Sequence, residues 1–514
     1  MRSTRPHRYG DQNVITTSKI ADAPMARKVR GLSSLCLLCA AAAAQVATDP
    51  LIGTWRGAIN VGVAELELAL HLTVDQGAYS ATLDSVTQGA RDIPVASITR
   101  EGGHITARLP AIGAEYVATL IETKLTVGRQ LKGVWKQGGR DFPLVMTPGS
   151  ARAPRRPQHP SDKTPYRSVS VMFGHDPERP LDESFEVGAG ADVSLAGTLT
   201  LPVGDGPHPV AVMITGSGPQ DRDETLCGHK PFLVIADHLT RNGIAILRYD
   251  DRGTAASTGD FASATTRDFA VDVRAALRFL KTRDDIDHGR MGLIGHSEGG
   301  LVAPMVASGS DADLVSFAVL LAAPAVKIGD IITHQSELIG LAEGTEPEHV
   351  HLNVDMIRAA LAAVIANRDD PAGRVAAIRA VAAQHWSRLP AGARARMPSG
   401  VEDLAADLAR LNTPWMNWLV HYDPAPALRD MKCRALAVFG GNDLQVDPAQ
   451  NRPPLEVALA GRASPTEIVT IEGVNHLFQQ SETGRPTEYG KLEETFAPQA
   501  LQLIQAWLAE QTQR

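Results

Sequence analysis

The ten residues Met291-Gly-Leu-Ile-Gly-His-Ser-Glu-Gly-Gly300 constrain this chain more than any other stretch of it. Met291–Ile294 reads as a buried strand and Leu301-Val-Ala-Pro-Met-Val306 as the start of a helix, with Gly295-His-Ser-Glu-Gly299 turning between them. A reversal that tight needs glycine on both sides, where a Cβ would collide with backbone. It sets Ser297 at a helix N-terminus, where free N–H groups can stabilise a developing oxyanion. A bare G-x-S-x-G is more often an ordinary glycine turn. The strand before it and the helix after it make Ser297 a candidate nucleophile.

From about Tyr166 onward, strand and helix patterns alternate, the grammar of a doubly wound, mostly parallel sheet. An opening β stretch (Ser184–Val187, Val193–Leu201) leads to strands expected at Val210–Ile214, Gly243–Tyr249, Met291–Ile294, Val315–Leu321, Ala435–Phe439 and Glu467–Ile471. Helices are expected at Pro231–Arg241, at Leu492–Ala509, and where Phe269, Val273, Ala276, Leu277 and Leu280 share one face. Between Ala323 and Asp430 only helices are legible, carrying Trp386, Trp415 and Trp418. An insertion at that point belongs over the carboxyl edge of the sheet, as a cap. A separate helical domain is the bland alternative.

A serine nucleophile needs a base, and the base needs an orienting acid. On a parallel sheet such groups sit beyond the carboxyl ends of strands. Ala435–Phe439 runs into Gly440-Gly-Asn-Asp443, which makes Asp443 the candidate acid. Asp447 competes, but Asp447-Pro448 reads as a helix N-cap with proline at the first helical position. Glu467–Ile471 leads into Glu472-Gly-Val-Asn-His476, so His476, alone among the 16 histidines in holding that position, is the candidate base. One oxyanion donor is expected from the N–H of Glu298. The other is expected from Thr215-Gly-Ser217-Gly, with Ser217 first and Gly216 next. That glycine loop lacks the Lys-Ser/Thr ending of a nucleotide-binding loop. The polar runs Gln220–Glu224 and Tyr249–Gly253 also follow strands, and internal salt bridging is their expected use.

The first third of the chain reads differently. Arg27-Lys-Val-Arg30, then the apolar run Leu32–Ala44 and small residues at Ala42–Ala44, form a secretory signal pattern. The run is shorter than the roughly 20 residues that span a bilayer. Its distance from Met1 makes Met25 a rival start, and a lipid anchor on Cys39 is a rival reading of the same segment. Residues 48–148 read as all-β: Leu66, Leu68, Leu70, Leu72 and Val74 alternate with more polar positions. Shorter runs recur at Ala78–Leu83, Pro94–Thr99, His104–Leu109, Glu115–Ile121, Leu131–Lys136 and Phe142–Met146, a small barrel or sandwich with no nucleophile–base set. Residues 149–165 are proline-rich and read as a semi-rigid linker.

Removing residues 1–47, with five Arg, two Lys and two Asp, takes the formal charge from −8 to −13. An acidic surface excludes nucleic acid as an expected partner and offers anionic membranes no general attraction. Cys227 and Cys433 would remain, far apart in sequence; a core this large does not need them joined.

Four motifs in order resemble bacterial α/β-hydrolase carboxylesterases, of the superfamily shared with dienelactone hydrolases and prolyl-oligopeptidase-type enzymes. They are Gly216-Ser-Gly-Pro-Gln-Asp-Arg-Asp-Glu224, Arg248-Tyr-Asp-Asp-Arg-Gly253, Gly295-His-Ser-Glu-Gly-Gly300 and Gly473-Val-Asn-His476. The resemblance covers about residues 185–510. Gly53-Thr-Trp-Arg-Gly57 with Leu83–Gly89 is similar to lipocalin-like β domains that precede some exported members. The chain departs from relatives at Thr215, where many carry histidine, and at Cys433-Arg434, where many carry proline.

The expected architecture is therefore a leader (1–47), a small barrel-like all-β domain (48–148), a linker (149–165) and an α/β-hydrolase core (166–323 and 431–514) with a helical cap inserted at 324–430. The signal pattern implies export (periplasmic or secreted), and the resemblance implies a hydrolase of small-molecule esters acting through Ser297, Asp443 and His476. No cofactor, metal, nucleic-acid partner or stable membrane insertion is expected; oligomeric state is open. A peptidase, an acyltransferase, and an envelope ligand-binding protein with a vestigial hydrolase domain are the alternatives.

Overall fold

The computed structural model describes residues 49–61, 65–75, 78–88, 90–123, 128–149, 155–161, 163–174, 193–395 and 397–512. The expected leader, Cys36, Cys39 and the expected strand at 184–187 lie outside them.

Alternation of apolar and polar side chains builds the first domain. Its strands are β1 (Gly53–Asn60), β2 (Glu65–Asp75), β3 (Ala78–Ser85), β4 (Ala90–Pro94), β5 (Ser97–Glu101), β6 (His104–Leu109), β7 (Ala114–Thr123), β8 (Gly128–Gln137) and β9 (Arg140–Pro148). They pair antiparallel in the order β4-β3-β2-β1-β9-β8-β7-β6-β5, a curled, half-barrel sheet. Leu68, Leu70 and Leu72 of β2 are buried against Trp55, Tyr116 and Trp135. The polar tips of these rings stay bonded: Trp55 Nε1 donates to Leu51 O at 2.8 Å, Tyr116 OH to Leu131 O at 2.9 Å and Trp135 Nε1 to Gln137 Oε1 at 3.1 Å. The single strand expected at Pro94–Thr99 is instead a corner. Pro94 has no N–H for a ladder, and the next two amides go to different strands, Val95 to Ala81 O and Ala96 to Arg108 O.

The second sheet comprises β10 (Arg167–Gly174), β11 (Ser194–Leu201), β12 (His208–Ile214), β13 (Ala245–Tyr249), β14 (Ile286–His296), β15 (Phe317–Leu321), β16 (Arg434–Gly440) and β17 (Thr466–Ile471). Their order is β10-β11-β13-β12-β14-β15-β16-β17; β10 and β11 pair antiparallel, β11 and β13 antiparallel, and all later pairs parallel. Val210–Ile214, Phe317–Leu321 and Ala435–Phe439 are buried at every position, as strands covered on both faces must be. The covering helices are α1 (Pro231–Arg241), α2 (Thr266–Leu280) and α3 (Gly299–Ser308).

Between β15 and β16 the chain leaves the sheet. It forms α4 (Ile328–Ala342), α5 (Pro347–Ala366), α6 (Pro371–Trp386), α7 (Ala391–Arg394), α8 (Val401–Leu408), α9 (Pro414–Leu419) and α10 (Ala425–Asp430) before returning. These helices bury a core of their own around Met356, Leu361, Val364, Leu404 and Met416. The fold closes with α11 (Pro448–Leu459) and α12 (Pro498–Thr512); the closing helix starts later than the sequence suggests, at Pro498, whose fixed φ and missing N–H suit a first helical position.

The expected linker is strapped down where it is described. The Arg156 guanidinium donates to the carbonyls of Cys227, Gly228, Gly490 and Leu492, and Gln158 bonds both Thr495 and Phe496. Proline content shows that such a segment cannot build a ladder; it says nothing of an arginine that satisfies four carbonyls of neighbouring loops.

Candidate active site

Six loops converge at the carboxyl edge of the second sheet, and β14 delivers the sharpest of them. Ser297 has φ +54°, left-handed for a residue with a Cβ. Such backbone persists only where its surroundings hold it. Here Ser297 N–H donates to Leu321 O at 2.8 Å and Gly300 N–H to Ser297 O at 2.8 Å. The flanking glycines are sterically required. A Cβ on Gly295 would lie 2.1 Å from Gly299 O, and one on Gly299 would lie 2.2 Å from Ile214 O. Glu298 is the N-cap of α3, so its amide precedes the helix.

Asp443 follows β16 and His476 follows β17, as expected from sequence, and the structure joins them. His476 Nδ1 donates to Asp443 Oδ2 at 2.8 Å. The other carboxylate oxygen accepts from the Gln445 and Val446 amides at 2.8 and 2.9 Å. Burial opposes the Asp443 charge, but His476 and those two amides hold its carboxyl below the usual range. The rival, Asp447, is occupied as expected: it caps α11 by accepting from Ala449 N–H, and it also bonds His334.

The loop after β12 lies directly on Ser297: a Cβ on Gly216 would be 3.3 Å from Ser297 Cβ. Gly216 N–H is already spent on Glu224 Oε1 at 2.7 Å. That leaves Ser217 as the available donor of this loop. Among the described residues, no acceptor pairs with the amides of Ser217 or Glu298. At the position where relatives carry histidine, Thr215 donates its hydroxyl to Asp251 Oδ1 at 2.8 Å, and Asp251 Oδ2 accepts from Gln220 N–H. The two polar runs do form internal salt bridges, Arg222 to Asp250 at 2.7 Å and Arg252 to Asp272 at 2.8 Å, with Arg248 on Asp223. Asp251, within one of them, also holds the loop after β12 through Thr215 and Gln220.

Three side chains escaped the sequence reading. Glu298 is buried, and its Oε1 accepts from Thr266 Oγ1 at 2.6 Å and from Trp415 Nε1, in the cap, at 2.7 Å. Burial pushes its carboxyl up. His296 and Glu224, both buried, pair at 2.9 Å behind Ser297. No periodicity marks such partners, which lie 32 to 117 residues apart.

Ser217, Ser297, Glu298 and His476 share one cavity of about 380 Å³. Its apolar wall comes from the core (Leu301, Val446, Leu477) and from the helical insertion (Ile328, Ile331, Ile332, Trp415, Met416, Leu419). The helical insertion therefore supplies one wall of this cavity. A wider cleft of about 500 Å³ on the β domain, beside Arg108, Lys136 and Arg140, holds no nucleophile–base pair.

A family model described as serine aminopeptidase, S33, matches residues 230–416, well under half of the chain. That span includes Ser297 and most of the cap but neither Asp443 nor His476. The esterase EstD of Thermotoga maritima is 28% identical over 315 residues, which are 60% of this chain and 64% of that protein. The chain thus aligns with somewhat under two thirds of that relative. Among solved structures, the α/β hydrolase GrgF from Penicillium sp. sh18 overlays with a TM-score of 0.40 at 16% identity, covering 68% of this chain and all of that one. An esterase of Pyrococcus furiosus, Pf2001, gives 0.39 at 13%, covering 71% and 99%. Overlays this loose leave the fold resting on the strand order itself. The fold is that of an α/β hydrolase.

Proposed function

We propose that the chain is a serine hydrolase that cleaves carboxylic esters of small molecules through an acyl-enzyme on Ser297. The reading is carried by one arrangement: a left-handed Ser297, an Asp443–His476 hydrogen bond and two uncommitted amides around one mostly apolar cavity. His476 Nε2 takes the Ser297 proton as the oxygen attacks the ester carbonyl, and Asp443 holds the Nδ1–H tautomer. The Ser217 and Glu298 amides stabilise the tetrahedral oxyanion. His476 returns its proton to the departing alkoxide, and water activated by the same imidazole then releases the acid.

The family model's description favours a second reading, an aminopeptidase. Such an enzyme needs an accessible anion for a free α-ammonium group. The two carboxylates that line the cavity face inward: Glu224 is bonded to Gly216 and His296, and Glu298 through Oε1 to Thr266 and Trp415, its Oε2 being buried away from solvent without a partner. That supports the ester. The test compares an aryl butyrate with a peptide anilide on wild type and Ser297→Ala, with fluorophosphonate labelling as the active-site count. Ester turnover abolished in a folded Ser297→Ala protein is the expected result; turnover of the anilide alone would favour the peptidase. Added alcohol acceptors would reveal acyl transfer in the products. On the same footing, residues 1–47 are proposed as a leader removed on export, testable by N-terminal sequencing of the mature chain.

A further inference from the structure

The residue before the nucleophile is bonded at both ring nitrogens to acceptors. His296 Nδ1 is 2.9 Å from Glu224 Oε1, and its Nε2 is 3.0 Å from the main-chain carbonyl of His476. A carbonyl oxygen can only accept, so Nε2 must carry a proton. Glu224 Oε1 already accepts from Gly216 N–H at 2.7 Å, so it too is placed to receive a proton from Nδ1 rather than to give one. An imidazole that donates from both nitrogens is a cation. Glu224 itself sits at φ +52°, a conformation held by its surroundings.

We propose that His296 is a permanent imidazolium and that its ion pair with Glu224 is a positioning device. It ties the oxyanion loop to the loop of the catalytic base through the residue adjoining the nucleophile. The chain of bonds runs Gly216 N–H, Glu224, His296, His476 carbonyl, which gives the amide loop and the base one common reference directly beside Ser297. This inference rests on the serine hydrolase reading for its catalytic consequence, not for the charge state. Burial opposes the His296 charge, and Glu224 outweighs it and holds the ring protonated above its ordinary range. The charged or titratable groups facing the ring are Glu224 from the loop after β12, His476 from the loop after β17 with its ring centroid 4.9 Å away, and Asp443 from the loop after β16. Glu298 lies two residues on in the same turn. Phe478 closes the remaining side.

Neutron diffraction from wild-type crystals equilibrated in D₂O at pH 8 reads the charge state directly. Deuterium on both ring nitrogens of His296 is expected; deuterium on one only would overturn the proposal, whatever reaction the protein performs. The positioning role is read kinetically with Glu224→Gln, which keeps the shape and an acceptor for Gly216 but removes the counter-charge. Its kcat should fall about ten-fold or more with KM within two-fold, the scale on which misplaced catalytic groups lose rate. Without its counter-charge the ring would lose a proton as pH rises, so the ratio of variant to wild-type kcat should climb from pH 9 to pH 6. A structural defect alone would give a ratio independent of pH, and a flat ratio, or unchanged kcat, counts against the proposal. In His296→Gln the Glu224 charge is stranded, and the double variant, with neither charge of the pair left, should recover part of the lost rate. A wild-type protein inactive on every ester would sink the functional reading and leave the neutron result standing.

Discussion

A serine held at φ +54° is tolerated because nothing around it can yield, and the same rigidity sets the sharpest prediction at the scale of single residues. In Gly295→Ala the new Cβ must displace the backbone of Gly299, so the turn itself has to open. The expected cost is about 3 kcal/mol or more, in the range of severe backbone and overpacking defects, with loss of fluorophosphonate labelling. A stably folded, labelled Gly295→Ala protein would contradict the turn. Asp443→Asn should keep the fold, strip the base of its tautomer control and lower kcat by about 10⁴-fold. A third residue answers to pH. Burial pushes the Asp251 carboxyl up to about 8, against an ordinary value of 3.8. The folded protein therefore keeps a proton there that the unfolded chain releases, so this stabilisation is complete below about pH 4 and lost as pH rises through 8. Urea unfolding of Asp251→Asn should lose that slope between pH 5 and 9; identical pH dependence in variant and wild type would exclude Asp251 as its source. Ser297, Asp443 and His476 were legible because each follows a strand that the sequence marks clearly. Glu224, His296 and Trp415 were not, since their roles depend on which loops meet in space.

Among the elements, strands announced themselves best. Fully apolar runs such as Phe317–Leu321 and alternating ones such as Leu66–Val74 each have one stable solution, and Pro231–Arg241 begins and ends where the sequence puts it. The corner at residues 95–96 was hidden because the break depends on where two amides find acceptors. Element α9 carries the coupling most open to test. Its N-cap Thr413 accepts from Met416 N–H, and its Trp415 reaches Glu298, whose own amide is a proposed oxyanion donor. Trp415→Phe keeps the apolar ring and removes the indole donor. If the acyl chain lies along the insertion's apolar wall, hydrolysis of long-chain acyl esters should lose about ten-fold in kcat/KM relative to acetate, the worth of one hydrogen bond to a carboxyl group. Equal losses on acetate and on long chains would show that the bond does not govern the acyl side.

At the scale of the whole molecule, arginines tie the β domain to the helical insertion and the linker to the core, while each of the three folded parts buries its own apolar cluster. Arg140 of β9 pairs with Asp407 of α8, and Arg156 satisfies four carbonyls from two loops of the core. Composition gave no hint of this, because an arginine in a proline-rich stretch looks like any solvated charge. Arg156→Ala strands those carbonyls and should cost about 1–3 kcal/mol, read as a lowered thermal midpoint with kcat on short esters unchanged. An unaltered midpoint would mean that water replaces the guanidinium without penalty.

The excursion from β15 to β16 has a consequence of its own. The two strands lie side by side, Phe317 opposite Arg434 and Leu321 opposite Val438, as though nothing had been spliced between them. The entropy of closing such a loop rises only with the logarithm of its length. Shorter, longer or unrelated helices could leave at Ala322 and rejoin at Cys433 while the reacting groups keep their places. A lineage built on this plan can exchange its roof, and with it the molecules it admits, without relearning its chemistry.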